Sequence, residues 1–301
     1  MKIKRSTGEV IFDSLNVVLM VLVMLVTLYP LWYVLISSLS DPQMVAEGKT
    51  MLWFANPDGQ ILNFAAYKEA FEYKDGLLLT SYGNTILYSV AGTVVSMILS
   101  ILGAYGLSKK RLKGRLFFTM VMVVSMWFSA GMIPTYLNFV NLGLEDTRTG
   151  IIIGFALTAF NVILIRTYFE SISESLEESA KMDGANDLTI LFKIYIPLSV
   201  PAIMTVSLYY FVSKWNAYLW SQILFKTDTK MPLQVLIKKL VVDRQASSES
   251  IASVDSSTLG GTSSETVIYA TIMLATLPMI IIYPFVQKFF VKGIMVGSVK
   301  G

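Results

Sequence analysis

The sequence predicts an all-α integral membrane protein with six transmembrane helices, and three observations carry that prediction. Apolar residues occupy 54% of the 301 positions. Charged residues make up only 15%, against about a quarter in soluble domains. The charges are also unevenly placed: long stretches carry almost none, and the remainder crowd into the gaps between them. A single soluble core cannot bury several such stretches, whereas a bilayer solvates them all.

A hydrocarbon core needs about 20 residues of apolar helix. Six stretches supply them, near 15–37, 83–107, 116–140, 150–169, 197–222 and 267–290, all within one transmembrane domain over 1–301. The first follows Lys2, Lys4 and Arg5. It is too long for a signal-peptide core and lacks a small-residue cleavage site after it, so it reads as a retained anchor.

Lysine and arginine placement sets the orientation, because cytoplasmic loops keep positive charge. The dense cluster is Lys109, Lys110, Arg111, Lys113 and Arg115, and further basic residues lie at the N-terminus and at Lys288, Lys292 and Lys300. The gap at 38–82 has only Lys49, Lys68 and Lys74 against six acids, and the gap at 141–149 has only Arg148. Both termini and the gaps at 108–115 and 170–196 are therefore expected in the cytoplasm. The gaps at 38–82, 141–149 and 223–266 are expected outside, although the last holds five basic residues.

Within 38–82, Asp41-Pro42 and Asn56-Pro57-Asp58-Gly59 are turn chemistry. Phe64, Tyr67 and Phe71 then fall on one face of a short amphipathic helix. It either lies on the membrane or bundle surface or docks an external partner. Residues 245–266 are rich in Ser, Thr and Gly and read as a flexible loop.

The gap after the fourth span reads as two short helices separated by a break, over 171–195. Ser171 and Glu174 match a capping box, with Ile172, Leu176 and Ala180 on one face. Gly184 sits where the first helix would end in a left-handed turn. Asn186 or Asp187 can cap a second helix with an apolar face of Leu188, Leu191, Phe192 and Tyr195, and Pro197 can open the fifth span.

Glu178-Ser179-Ala180, Gly184, Ile194 and Ile196-Pro197 have the spacing of the EAA signature in permeases of bacterial ABC importers, and Asp183-Gly184-Ala185 resembles the Asp-Gly-Ala of carbohydrate permeases. Ser replaces the first Ala, and Ile replaces Leu. Arg166 to Phe169, Leu198 to Pro201, Trp215-Asn216 and Trp220 are similar to the maltose-type family. Ala275 to Pro278, Tyr283 to Phe285 and Phe290 to Gly293 resemble its oligosaccharide and complex-polysaccharide branch.

The resemblance implies a type I ABC importer permease fold in a bacterial cell membrane. It also implies a second, homologous permease, two cytoplasmic ATPase subunits and an extracytoplasmic sugar-binding protein. The segment 171–195 would dock an ATPase through Glu177, Glu178, Ser179, Ala180, Asp183, Gly184 and Ala185, with Glu178 meeting a basic residue there. The chain would bind no cofactor, and ATP and Mg would sit on the ATPases. No GxxxxGK[ST] loop occurs in the sequence, so hydrolysis is expected on a separate chain, and this one is not expected to be an enzyme.

Sugar sites use aromatic faces with amide and hydroxyl rims. Asn161, Tyr209, Tyr210, Lys214, Trp215, Asn216, Tyr218 and Trp220 are candidates for the substrate path, though an interfacial aromatic belt explains most of them equally well. Lys214 either snorkels to the outer face or lines the path. The basic run 109–115 reads as a positive-inside anchor, and Gly150 with Gly154 as a site of close packing.

The chain contains no cysteine and no histidine. That removes disulfides, Cys/His metal sites, thiol nucleophiles and histidine bases, so no metal or catalytic residue is nominated. A net charge of +3 is too small to imply a nucleic-acid partner. A secondary, ion-coupled transporter is the alternative from another class. It would be expected to carry mid-span acids and inverted repeats, and none of the six stretches contains Asp or Glu.

Overall fold

Apolar runs long enough to cross a bilayer must satisfy their backbone groups internally, and helix is the form that does so within one segment. The computed structural model describes residues 6–57, 60–251 and 264–298, and among them every regular element is helical. Three uninterrupted helical stretches are long and apolar enough to span: α1 (Thr7–Ser38), α4 (Leu77–Ser108) and Glu265–Pro284 within α15 (Ser264–Ser298). A capping box closes the start of α1, with the Ser6 amide donating to Glu9 at 2.8 Å.

The other three expected spans are not straight rods. α5 (Arg115–Trp127) and α6 (Met132–Asn141) meet at 119°, and α7 (Arg148–Gly154) and α8 (Ala159–Glu170) at 46°. The segment Asp187–Leu198 meets α12 (Val200–Trp215) at 85°. Six spans result if each bent pair counts as one. The breaks have local causes. Gly131 adopts φ +84° before α6, a conformation that costs glycine little. Pro201 in the first turn of α12 lacks the N–H that would continue the preceding turn. The fifth span therefore runs from Val200 to Trp215 and is followed by the short α13 (Leu219–Leu224), where a single rod to 222 was expected.

The chain divides into two compact units. The first comprises Met1–Gly76 and Lys239–Leu277. Here α2 (Pro42–Ala46) is capped by Asp41, whose carboxylate accepts from the amides of Gln43 and Met44. Asn56 ties the loop by donating to the carbonyls of Leu39 and Ile61. The short helix α3 (Ala65–Glu72) forms as expected, but the face it buries is Ala66 and Ala70, while Phe64 and Phe71 are exposed. The two small residues permit close backbone approach, and of the aromatic stripe only Tyr67 is partly buried, its hydroxyl paired with that of Ser38 at 2.9 Å. Most of α1 is exposed along its length.

The second unit comprises Leu77–Lys238 and Pro278–Gly301. Its central helix is α4, against which α5, α7, α8 and α12 pack. Small residues (Ser89, Gly92, Ser96, Ser100, Ala104) line the packed side of α4, the substitution pattern that lets apolar-solvated helices approach closely. The expected close-packing glycines are used in this way: a Cβ on Gly154 would lie 2.2 Å from the Phe139 ring, and one on Gly150 would lie 2.5 Å from the Leu144 carbonyl. The expected loop 223–266 contains a helix instead, α14 (Leu233–Ile251). Of the flexible stretch expected at 245–266, residues 252–263 lie outside the described residues.

Candidate functional site

The two-helix segment after α8 folds as a knob with its seat built into the same unit. The first helix, α9, runs Glu174–Met182 with Ser173 as N-cap. The expected capping box at Ser171 is not used, because Ser171 ends α8 and its hydroxyl donates back to the Tyr168 carbonyl. Gly184 adopts φ +80°. Around it the Gly184 amide donates to Lys181 and the Ala185 amide to Ala180, the double return bond that stops a helix sharply. Asn186 caps α10 (Asp187–Ile190) through the Thr189 amide at 2.8 Å.

Beyond α10 the chain winds as a π-helix over Leu191–Tyr195. That wider turn rotates the buried face, so Ile190, Leu191 and Tyr195 are buried while Leu188 and Phe192 are exposed. Leu188 and Phe192 were expected on the apolar face, and the structure turns both outward.

The seat is electrostatic. Lys109 lies 2.5 Å from Glu177, with side-chain exposures of 8% and 12%. Its ammonium also sits 4.1 Å from the Tyr105 ring centroid and 3.7 Å from that of Tyr195, an arrangement that favours a desolvated cation. Glu177 additionally accepts from Lys181 at 2.6 Å and from the Tyr195 hydroxyl at 2.9 Å. Burial pushes the Glu177 carboxyl up, yet the bonds from Lys109, Lys181 and Tyr195 outweigh it and hold the group at about 2. Burial pulls the Lys109 ammonium below its ordinary value, against the pull of Glu177. A carboxylate met by two ammoniums and a phenol stays ionised, so the pair is charged at neutral pH.

Around this pair lie Lys110 with Glu174 at 2.6 Å, Arg111 with Asp187, and Arg115 with Glu170. The basic run 109–115, expected as a positive-inside anchor, thus pairs with acids on or beside the knob. Of the expected docking residues, Glu177 faces inward onto this seat. Glu178, Ser179, Asp183 and Gly184 are exposed, Ala180 and Ala185 pack against the core, and none of the described hydrogen bonds or ion pairs engages the Glu178 side chain. Met182, 87% exposed, is, like Leu188 and Phe192, an exposed apolar side chain on the same segment.

A second feature lies along α12. A cavity of about 280 Å³ is lined by Tyr88, Phe155, Thr158, Tyr210, Ser213, Lys214, Trp220 and neighbours. Three of the eight expected path residues, Tyr210, Lys214 and Trp220, meet there. Tyr210 accepts from the Thr158 amide and pairs with the Ser100 hydroxyl at 2.8 Å. Trp220 stacks with Phe139 and packs on Phe155 at 5.2 Å between centroids.

The other five lie elsewhere. Trp215 is buried against Phe211 and Tyr82, and Asn161 is buried on α8. Tyr209 and Asn216 are exposed, and Tyr218 lies under the Lys238 ammonium. Sequence reasoning missed Tyr88, Phe155, Thr158 and Ser213. Part of the wall was readable as spacing, because Tyr210, Ser213, Lys214 and Ala217 are separated by the 3, 4 and 7 residues of one helical face. Among the described residues there is no cluster of acids able to hold a metal.

At the Leu77 end of α4 the ties are of another kind. The Asn84 amide donates to the carbonyls of Thr229 and Met231, and Tyr88 donates to that of Lys230 at 2.8 Å. Lys230 and the Thr227 hydroxyl both bond Asp146 and hold its carboxyl well below the usual range.

Comparison with known proteins places this geometry. Residues 96–296 match the family described as binding-protein-dependent transport system inner membrane component. The polygalacturonan/rhamnogalacturonan transport system permease protein YtcP of Bacillus subtilis is 38% identical over 294 residues, covering 97% of this chain and 99% of that protein. Protein LplC of the same organism is 34% identical over 291 residues, covering 97% and 95%. In the crystal structure of a bacterial ABC transporter involved in import of the acidic polysaccharide alginate, one chain matches with a TM-score of 0.85 and 44% identity, covering 96% of this chain and 100% of that one. With a family match over two thirds of its length and relatives aligned end to end, this chain is a member of the binding-protein-dependent transport system inner membrane components.

Proposed function

We propose that this chain is a permease subunit of an ATP-driven importer that carries oligosaccharides, such as fragments of a polysaccharide, across a bacterial cell membrane. It forms the translocation path with a second permease and receives its sugar from an extracytoplasmic binding protein. Both termini and the knob lie in the cytoplasm. Hydrolysis of ATP, with its Mg, takes place on two separate ATPase subunits, so this chain is not itself an enzyme. The family match, and the transport role in the names of its relatives, support this reading.

The observation that carries the coupling role is the division of labour on α9. One glutamate, Glu177, anchors the helix to Lys109, while the next, Glu178, is exposed, as are Met182, Leu188 and Phe192 of the same segment. Large apolar side chains left exposed on a short, charged segment favour a protein contact over open water. The knob therefore seats in an ATPase, with Glu178 meeting a basic group there and the stiff Gly184 turn transmitting displacement to α12.

Co-expression with the neighbouring permease and ATPase tests this. The wild-type complex is expected to co-purify with ATPase activity, and Glu178→Arg to lose its ATPase while the two permeases still associate. Normal assembly and hydrolysis by the variant would refute coupling through this segment.

A further inference from the structure

Lys214 lies in the last turn of α12, and a lysine within an apolar span is costly unless something answers its charge. The usual escape is for the long stem to carry the ammonium to the interface. The stem of Lys214 turns across the neighbouring helix. It crosses α4 at Gly92, where a Cβ would lie 2.6 Å from Cδ and 2.9 Å from Cε. Any larger residue at 92 would push the lysine off this course, so the glycine is its seat.

The ammonium emerges in the wall of the cavity described above, near the Phe155 carbonyl at 3.4 Å. That is long for a hydrogen bond, and an ammonium has three donors. Among the described residues no carboxylate pairs with Lys214. By contrast, Lys109, Lys181 and Lys230 each have a carboxylate within 3 Å.

We infer that Lys214 receives the carboxylate of a sugar acid, so that the cavity takes a uronate unit of an acidic oligosaccharide. This rests on the transport reading and narrows it to a substrate class. The rest of the wall suits such a unit. The packed rings of Phe155 and Trp220 offer an apolar surface for a pyranose, and Thr158 and Ser213 add hydroxyl-bearing residues to the lining. A volume of about 280 Å³ lies just below the range of small-molecule pockets, which start at about 300 Å³, and suits one sugar unit rather than a chain. A single cation with open donors discriminates a carboxylate from its neutral ester by a charge-assisted bond. The named relatives handle polygalacturonan and the acidic polysaccharide alginate, both polymers of sugar acids.

The test is uptake by the complete complex, with both permeases, ATPases and binding protein, in proteoliposomes. Labelled trigalacturonate and its methyl ester are the probes. The wild type is expected to prefer the acid, and Lys214→Met to reduce the acid-to-ester preference about tenfold. Lys214→Arg should keep most of the preference. Gly92→Ala, which retains the ammonium but displaces its stem, should lower it part of the way.

An unchanged preference in Lys214→Met overturns the inference, and so does a wild type that favours the ester. If Lys214→Met fails to assemble, an unchanged preference in Gly92→Ala overturns it. A wild-type complex that imports neutral oligosaccharides alone defeats the uronate assignment and leaves transport standing. One that hydrolyses ATP yet imports no oligosaccharide defeats the transport reading itself.

Discussion

At its Ser108 end, α4 is held through charged side chains on both partners: Lys109 grips Glu177, and Lys110, Arg111 and Arg115 pair with acids on or beside α9 and α10. At its Leu77 end, Asn84 and Tyr88 reach backbone carbonyls of residues 229–231 instead. Ties between two flexible side chains can lengthen, break and exchange partners, and they answer to pH and charge. Ties from a side chain to backbone fix the path of a loop, because the acceptor cannot rotate away. A unit that must pass movement along one end while keeping its shape at the other would be built in this way.

The largest effect expected in this comparison is at the charged end. Lys109→Met should destabilise the purified complex by about 3 kcal/mol, the lower end for breaking a buried ion pair, because Glu177 loses its buried ammonium but keeps Lys181 and the Tyr195 hydroxyl. Pairing it with Glu177→Leu should recover most of that loss, which thermal melting would read. Full damage persisting in the double variant would mean the site matters through the aromatic box and not through the ion pair.

Acid should loosen the same end. The Glu177 carboxyl is depressed in the fold from 4.5 to about 2. Its stabilisation is therefore complete above pH about 4.5 and lost as pH falls towards about 2, a change on the order of 3 kcal/mol. Melting curves of the wild type should fall across that window relative to Glu177→Gln. Parallel curves would show that Glu177 titrates alike in folded and unfolded chains.

Asn84→Ala addresses the backbone-tied end. It removes two bonds to carbonyls and one acceptor of Arg148, and should cost about 2 kcal/mol. Proteolysis within 226–232 should quicken, with no change in pH response. The smallest effect should come from Lys110→Ala. That ion pair is 76% and 63% exposed, and pairs of this kind contribute less than about 1 kcal/mol. Its contrast with Lys109, one residue away, isolates burial as the cause.

Much of the architecture was legible. The six apolar stretches, the Gly184 turn and the Asn186 cap all depend on residues close in sequence, so composition and spacing reveal them. The interiors of three spans were not. A break at Gly131 or Pro201 shows as one residue, but the angle it produces is set by what the two halves pack against. The aromatic spacing of α3 gave the helix but not its packed side, which Ala66 and Ala70 took by allowing closer approach.

The candidate site divides in the same manner. Glu177 and Glu178 are neighbours of one type, and nothing local says which turns inward. The choice was made by Lys109, which lies 68 residues away in sequence. The π-turn at Leu191–Tyr195 likewise moved Phe192 and Leu188 outward, a rotation that a 3.6-residue period cannot anticipate. Lys214 could be read from the sequence as a cation within a span, but only the approach of α4 at Gly92 decided where its ammonium would go. By itself the sequence determined that the chain lives in a bilayer, roughly where its apolar spans fall and which segment forms the knob, because hydropathy and turn chemistry act over a few residues. The tertiary structure alone decided the bends, the partners of each charge and the membership of the cavity, because these rest on contacts between residues far apart in the chain.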